Sequence, residues 1–325
     1  MHSPHSEQPA GQKYRVLAIH AHPDDESSKG AATMARYVDE GHRVKVLTCT
    51  GGERGDILNP YYSTDGQLGG YDDFEGLSLF SDLDPLMQMR ILRQREMADA
   101  VDVLGVEHEW LGYVDSGLPE GDPLPPLPEG CFALQDPQVI TQDVVKVIRT
   151  FRPHVIITYD ENGGYPHPDH LMVHAVSMEA WNAAADPTYH PELGEAWEVS
   201  KLYYTHGFVR TRFELLTDYL QNQGVELSET VQEHLRLWQS APDIMQRVTT
   251  QVPVGDWFER RDDALRAHGT QIDPEGAFLF CSADIQRKVW PTEEFELARS
   301  RVGELPQYSE PYEHDLFEGL EGVAQ

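Results

Sequence analysis

Short apolar runs alternate with longer amphipathic segments along most of the chain. The apolar runs predict buried strands at 14–20, 44–50, 107–113, 155–159 and 201–205, with two shorter strands at 249–254 and 277–280. Helical spacing of apolar positions predicts helices at 27–40, 87–104, 137–151, 168–184, 212–222, 228–238 and 256–268. Residues 14–50 therefore form a strand–helix–strand unit, which is typical of a parallel sheet.

This order of elements predicts an α/β fold with a Rossmann-like, mostly parallel sheet and helices on both of its faces. A chain of 325 residues is compatible with one large domain. We expect that domain at 13–305, after a disordered polar leader at 1–12 and before a loose acidic tail at 306–325. Residues 59–84 show no sustained periodicity and predict a long loop.

Two polar turns directly follow two of the apolar runs. The turn AHPDDE occupies residues 21–26, and the turn HPDH occupies residues 167–170. Because ligands bind at the carboxyl ends of the strands in open α/β sheets, we expect both turns to contribute to one active site at that edge.

Imidazole and carboxylate groups at these turns are suitable ligands for a catalytic metal, which takes three protein ligands and keeps one position open. His22 and one carboxylate from Asp24 or Asp25 would supply two of them. Spacing alone does not determine the third protein ligand. It could come from the second turn, from the helix that follows it, or from the first strand, and the candidates are His167, His170, His174 and His20. Mixed nitrogen and oxygen ligands favour zinc, although ferrous iron and manganese also fit.

Composition limits the classes of partner. Fifty-five acidic residues against 25 basic ones give a net charge of −30, which disfavours binding to nucleic acid or to an anionic membrane surface. The chain has no apolar run long enough to span a bilayer and no apolar signal-peptide core, so we expect a cytoplasmic protein. Cys49, Cys131 and Cys281 are widely spaced and indicate neither a disulfide scaffold nor a cysteine zinc site.

The AHPDDE and HPDH turns resemble the signatures of the zinc-dependent deacetylases related to phosphatidylinositol-glycan biosynthesis enzymes. The similarity extends from Tyr14 to about Val302 and includes longer blocks at 22–30, 107–130, 158–164 and 261–268. These blocks resemble the branch of the family that hydrolyses the amide bond of mycothiol S-conjugates. Deacetylases of mycothiol biosynthesis, which act on acetylglucosaminyl-inositol, are the alternative within the family, and a non-catalytic sugar-thiol binder on the same fold is a third interpretation.

The resemblance implies a zinc-dependent amidase, for which ferrous iron could replace zinc in the cell. It makes His22, Asp25 and His170 the metal ligands and Asp24 the general base. His167 would support the oxyanion or the leaving group and would be oriented by Asp169. Tyr165 would be a mobile donor to the carbonyl oxygen.

Substrate contacts are implied for four further residues, which are Lys29, Glu53, Arg93 and Asp115. Lys29 favours the amidase branch, because that branch resembles this sequence at position 29, whereas the biosynthetic deacetylases more often have a small polar residue there. Residues 61–80 depart from the family pattern and look longer, which affects the rim of the conjugate site. A small-molecule conjugate is the partner that the resemblance implies, and the sequence carries no signal for an oligomeric state.

Overall fold

The computed structural model describes residues 12–64, 67–68, 82–239, 243–303 and 312–322. A seven-stranded sheet forms the centre of the molecule, in the order β5-β2-β1-β6-β7-β9-β8. Its strands are β1 Arg15–His20, β2 Arg43–Thr50, β5 Glu107–Tyr113, β6 Val155–Thr158, β7 Lys201–His206, β8 Thr250–Pro253 and β9 Thr292–Ser300. Two short strands, β3 Ser63–Thr64 and β4 Gln67–Leu68, form a separate antiparallel pair.

Nine α-helices lie in the described ranges: α1 Asp25–Ser28, α2 Ala31–Asp39, α3 Pro85–Leu104, α4 Pro137–Phe151, α5 Pro168–Ala183, α6 Arg210–Asn222, α7 Glu229–Gln239, α8 Phe258–Ala267 and α9 Ala283–Val289. Short 3-10 helices occur at Phe132–Leu134, Pro191–Leu193, Ile244–Gln246 and Gly255–Trp257. No helix in these ranges is both long enough and apolar enough to cross a membrane.

The predicted mostly parallel α/β sheet is confirmed. Strands β5, β2, β1, β6 and β7 are mutually parallel, whereas β9 pairs antiparallel with β7 and β8. Side chains alternate along β1, so that Val16 and Ala18 join one hydrophobic core while Leu17 and Ile19 join the other. Helices α2, α3 and α8 contribute to the first core, and α4 and α5 to the second.

Three sequence predictions are wrong. The helix predicted at 27–40 is two helices, because Gly30 adopts a φ of 88° between α1 and α2. Residues 277–280 form turns rather than a strand. The antiparallel strand β9 was not predicted, since its acidic residues conceal the strand pattern.

The acidic C-terminal segment also differs from its prediction as a loose tail. Within residues 312–322, Leu316, Phe317 and Leu320 are buried in the first core. Glu313 accepts hydrogen bonds from Lys201, Tyr203 and Thr250. Apolar side chains inside an acidic stretch therefore attach this segment to the domain. Most of the leader at 1–12 and most of the loop at 61–80 lie outside the described residues.

The parallel strands place the two polar turns at one edge of the sheet. His22 follows the end of β1, and His167 directly precedes α5, in the connection that follows β6. Asp115 follows the end of the neighbouring strand β5. This is the edge at which open α/β sheets bind ligands.

Candidate metal centre

Three donor atoms converge at the carboxyl ends of β1 and β6. His22 Nδ1 lies 3.3 Å from His170 Nε2 and 3.6 Å from Asp25 Oδ2, and the last two atoms are 3.5 Å apart. Ligands on a tetrahedral zinc ion, with bonds of about 2.0–2.2 Å, are roughly 3.3–3.6 Å from one another. The donor set and its spacing therefore fit a bound metal ion, and all three residues are buried.

Hydrogen bonds on the far side of each ring set the histidine tautomers. His170 Nδ1 lies 2.8 Å from the carbonyl oxygen of Gly163, which can only accept, so this nitrogen carries the proton. His22 Nε2 lies 3.1 Å from Asp169 Oδ2 and donates to it. When each ring is neutral, its other nitrogen is unprotonated and faces the centre, as in metal-binding histidines.

The side chain and the backbone of Asp169 contact two different histidines at the centre. Its carboxylate accepts from His22, from the Ser116 backbone N–H at 3.0 Å and from the Ser116 hydroxyl. The expected orientation of His167 comes from the backbone of Asp169 instead, whose N–H donates to His167 Nδ1 at 3.1 Å. The carboxylate therefore orients His22, and the backbone N–H of Asp169 is the group that contacts His167.

Asp25 is buried and held as an anion. Its carboxylate accepts hydrogen bonds from the Tyr159 hydroxyl at 2.6 Å, from the His22 backbone N–H at 3.0 Å and from Lys29 Nζ at 2.5 Å. Burial opposes ionisation of Asp25, but the charge of Lys29 and the contact with His170 outweigh it and hold its pKa well below the usual range. An ionised carboxylate is the form that binds a cation.

Asp24 lies beside the donor set in a strained conformation. Its φ of 103° is in the left-handed region, which a residue with a side chain rarely adopts. Glu26 Oε2 accepts from the Asp24 backbone N–H at 3.0 Å, and Asp24 Oδ2 accepts from Arg93 Nη2 at 2.8 Å. Burial raises the pKa of Asp24, Arg93 lowers it, and Asp25 raises it, with a net upward shift. A raised pKa makes a carboxylate a stronger base.

Arg93 is a buried scaffold for Asp24. Its guanidinium donates to the carbonyl oxygens of Gly52, at 2.6 Å, and of Pro23, as well as to Asp24. Gly52 permits this approach, because a Cβ at that position would lie 2.2 Å from Arg93 Nη1. Both terminal nitrogens of the guanidinium are used by protein groups, whereas Nε has no partner among the described residues, and the contact between Arg93 and a sugar stays a prediction.

His268 was missed by sequence reasoning, although it ends one of the blocks that resemble the family. His268 Nε2 lies 2.6 Å from Glu26 Oε1, and both side chains are fully buried. The charge of His268 lowers the pKa of Glu26 to about 2 against the effect of burial. Since Glu26 holds the backbone of Asp24, the pair connects α8 to the candidate base. Tyr159 and Ser116 were also missed, and both lie in blocks of family resemblance.

His167 and Tyr165 border the centre. The His167 ring lies 4.5 Å from the His22 ring, centroid to centroid, and burial, His22 and His170 lower its pKa to about 3. Because Nδ1 accepts a hydrogen bond, the proton of neutral His167 is on Nε2, which is a donor. Tyr165 is 36% exposed and packs its ring 4.6 Å from that of His170, so its hydroxyl belongs to the rim.

Other predicted residues are buried around the donor set. Asp115 Oδ1 lies 3.4 Å from His22 Nε2 and accepts from the Gly117 backbone N–H, and Asp115 Oδ2 accepts from the Arg54 backbone N–H. Glu53 is buried beside Arg90, at 3.5 Å. Lys29 is also buried against Asp25. In this structure Asp115 and Lys29 support the ligands, and direct substrate contacts by Lys29, Glu53 and Asp115 stay predictions.

A second group of donors, from His22, Asp115, His167 and Asp169, also lies within 4.8 Å. The group formed by His22, Asp25 and His170 fits a tetrahedral ion better, because its donor atoms are 3.3–3.6 Å apart and because His22 Nε2, which faces the second group, donates to Asp169. His174 Nδ1 bonds to the Tyr159 carbonyl oxygen, and His20 is buried in β1. Neither belongs to a donor group in the described part of the chain.

Comparisons with known proteins identify relatives of the whole chain. A mycothiol S-conjugate amidase from Streptomyces coelicolor is 51% identical over 94% of this chain and 97% of its own. A 1D-myo-inositol 2-acetamido-2-deoxy-alpha-D-glucopyranoside deacetylase from Geodermatophilus obscurus is 38% identical, over 95% of this chain and 98% of its own. Among solved structures, an N,N'-diacetylchitobiose deacetylase from Pyrococcus horikoshii shares the fold, with a TM-score of 0.52, 17% identity and coverage of 87% and 83% of the two chains.

The family model described as "PIG-L: GlcNAc-PI de-N-acetylase" matches residues 17–181, which include β1, β6 and both polar turns. The matched range covers half of the chain, and the amidase relative covers nearly all of it. The chain belongs to the PIG-L, or GlcNAc-PI de-N-acetylase, family.

Proposed function

We propose that the chain hydrolyses the amide bond of mycothiol S-conjugates with one zinc ion, releasing an N-acetylcysteine S-conjugate and glucosaminyl-inositol. The convergence of His22 Nδ1, Asp25 Oδ2 and His170 Nε2 beside Asp24 carries the proposed reaction class. The choice of substrate is supported by sequence identity, because the chain is 51% identical to the amidase and 38% identical to the deacetylase.

His22, Asp25 and His170 would hold the zinc ion. When bound, zinc polarises the scissile carbonyl and acidifies a water molecule. Asp24 accepts the proton of the attacking water, and its raised pKa suits that role at neutral pH. The Nε2–H of His167 and the hydroxyl of Tyr165 donate to the developing oxyanion, and Asp24 then passes the proton taken from water to the departing amine.

Buried partners prepare Asp24 for this reaction. Arg93 and Glu26 hold its side chain and its backbone N–H, respectively. The base is therefore positioned before substrate binds, which lowers the cost of reaching the transition state. Tyr165 lies at the rim, where it contacts substrate without being part of the rigid support.

A second candidate, hydrolysis of acetylglucosaminyl-inositol, is favoured by the 38% identity to the deacetylase from Geodermatophilus obscurus. Both reactions cleave an amide on the same glucosaminyl-inositol, so the acyl group distinguishes them. The test is the turnover of zinc-loaded protein on a bimane conjugate of mycothiol and on acetylglucosaminyl-inositol. We expect faster turnover of the conjugate. Faster release of acetate would select the deacetylase instead, and stoichiometric zinc with neither activity would select a binding protein.

A further inference from the structure

A cleft, part of it open to solvent, lies between the end of β7, α6 and the turn at 277–280. Its apolar wall, termed here the aromatic cleft, consists of Phe208, Phe213, Leu216, Phe278 and Phe280. The rings of Phe208 and Phe278 are 6.0 Å apart, and those of Phe213 and Phe280 are 4.6 Å apart.

Charged side chains on the floor of the aromatic cleft are paired with protein groups. The carboxylate of Glu293 accepts from the backbone N–H groups of Ala32 and Thr33 at the start of α2. Glu294 accepts from Trp290 and Thr292, and it lies 3.4 Å from Arg212. Arg261, which also lines the cleft, donates to Asp262 and Gln286. These contacts pair the charged groups with protein groups, and the aromatic wall is the apolar part of the surface offered to a ligand. A neutral, apolar group is the chemistry that this surface accommodates at least cost.

The aromatic cleft shares a wall with the metal centre. Ser27 and Ser28 line the cleft from α1, the helix that begins with Asp25. Lys29 Nζ lies 2.5 Å from Asp25 Oδ1 and 5.9 Å from the centre of the Phe208 ring. Gly207 lets the end of β7 approach α1, because a Cβ there would lie 3.0 Å from the Ser28 carbonyl oxygen.

We propose that the aromatic cleft binds the sulfur-linked substituent of the conjugate and that it selects neutral, aromatic or other apolar substituents. This proposal rests on the proposed function. In such a conjugate, sulfur is three bonds from the scissile carbonyl carbon, at most roughly 4 Å away. The substituent therefore starts close to the donor set and needs an apolar space beside it. The cleft next to Lys29 supplies that space.

Two cleft variants test the proposal against substituent size. Phe278→Ala removes part of the wall, so the KM for the bimane conjugate should rise about 10-fold, with kcat nearly unchanged. Ala277→Phe narrows the cleft, so the KM for the bimane conjugate should rise while the KM for the S-methyl conjugate stays within about twofold. Tyr189→Ala is the matched control, since Tyr189 is a half-buried aromatic residue outside the cleft.

Wild-type turnover separates the cleft proposal from the proposed function. Hydrolysis of the conjugates by wild type supports the function, and the ratio of variant to wild-type KM then tests the cleft. Calorimetric binding of the product N-acetyl-S-bimane-cysteine gives a second readout that needs no turnover, and Phe278→Ala should weaken it about 10-fold. Equal changes for the S-methyl and bimane conjugates, or unchanged binding of the product, would overturn the assignment of the cleft.

Discussion

Asp169 Oδ2 lies 3.1 Å from His22 Nε2 and thereby orients a proposed metal ligand from the neighbouring turn. Removing this carboxylate in Asp169→Ala should weaken zinc binding by about 10–100-fold, because the His22 tautomer is no longer set. Competition with a chelator measures the affinity. Glu179→Ala, an exposed carboxylate on the same helix, is the control. Unchanged zinc affinity with lowered kcat would instead indicate that Asp169 acts through His167.

Arg93 gives a second prediction, because its three hydrogen bonds hold Asp24 and two loops together. Arg93→Met should lower kcat by roughly 100-fold through misplacement of the base, with a smaller change in KM. Arg93→Lys should recover little, since a single ammonium group cannot reproduce the planar fork. Steady-state kinetics check this, with Arg95→Met on the exposed side of α3 as the control. A rise in KM at constant kcat would favour a direct substrate contact.

The prediction that the C-terminal segment would be loose illustrates where composition misleads. Acidic residues dominate 312–322, but three apolar side chains at Leu316, Phe317 and Leu320 face the core. Strand β9 was missed for a related reason, since Glu293 and Glu294 are buried against a helix start and Arg212 rather than in water. Partners that satisfy a buried charge lie far along the chain, and no local pattern reveals them.

The sequence predicted the candidate metal ligands better than it predicted the residues that hold them in place. Short turns at strand ends predicted that the two polar turns would meet, because parallel strands share one edge, and the family resemblance implied His22, Asp25 and His170 as the ligands. By contrast, the hydrogen bond between Ser116 and Asp169 joins residues 53 positions apart in the sequence, and the contact between His268 and Glu26 joins residues 242 positions apart. These contacts depend on how loops and α8 pack, which the periodicity of apolar residues does not specify.

Phe317 tests whether the C-terminal segment stabilises the domain. Phe317→Ala should lower the free energy of unfolding by about 3–5 kcal/mol, because it leaves a cavity in the first core. Urea unfolding measures this change, and Glu321→Ala, at an exposed position of the same segment, should have almost no effect. Similar stability for both variants would contradict a packed segment.

His42, which lies away from the candidate metal centre, should make the stability of the protein depend on pH. The Tyr14 backbone N–H donates to His42 Nδ1 at 3.0 Å, and burial, together with the charges of Lys13 and Arg36, lowers the His42 pKa to about 4. Between pH 4 and 6.5 the unfolded chain binds this proton and the folded chain does not, so stability falls as the pH falls.

His42→Asn keeps an acceptor but removes the titration. The slope of unfolding free energy against pH in that window should become shallower by up to about 1.4 kcal/mol per pH unit. Urea unfolding of both proteins across the window measures the two slopes, which should agree above the pKa of free histidine. Identical slopes within the window would show that His42 is not responsible.

Zinc titration of metal-free protein, read out as turnover of the bimane conjugate of mycothiol, tests the central claim most directly. Wild type should reach full activity at one zinc per chain. Asp24→Ala should bind the same amount of zinc yet lose roughly 10²–10⁴-fold in turnover, whereas His170→Ala should fail to retain zinc. Near-wild-type turnover of Asp24→Ala, or stoichiometric zinc on His170→Ala, would contradict the assignment of base and ligand.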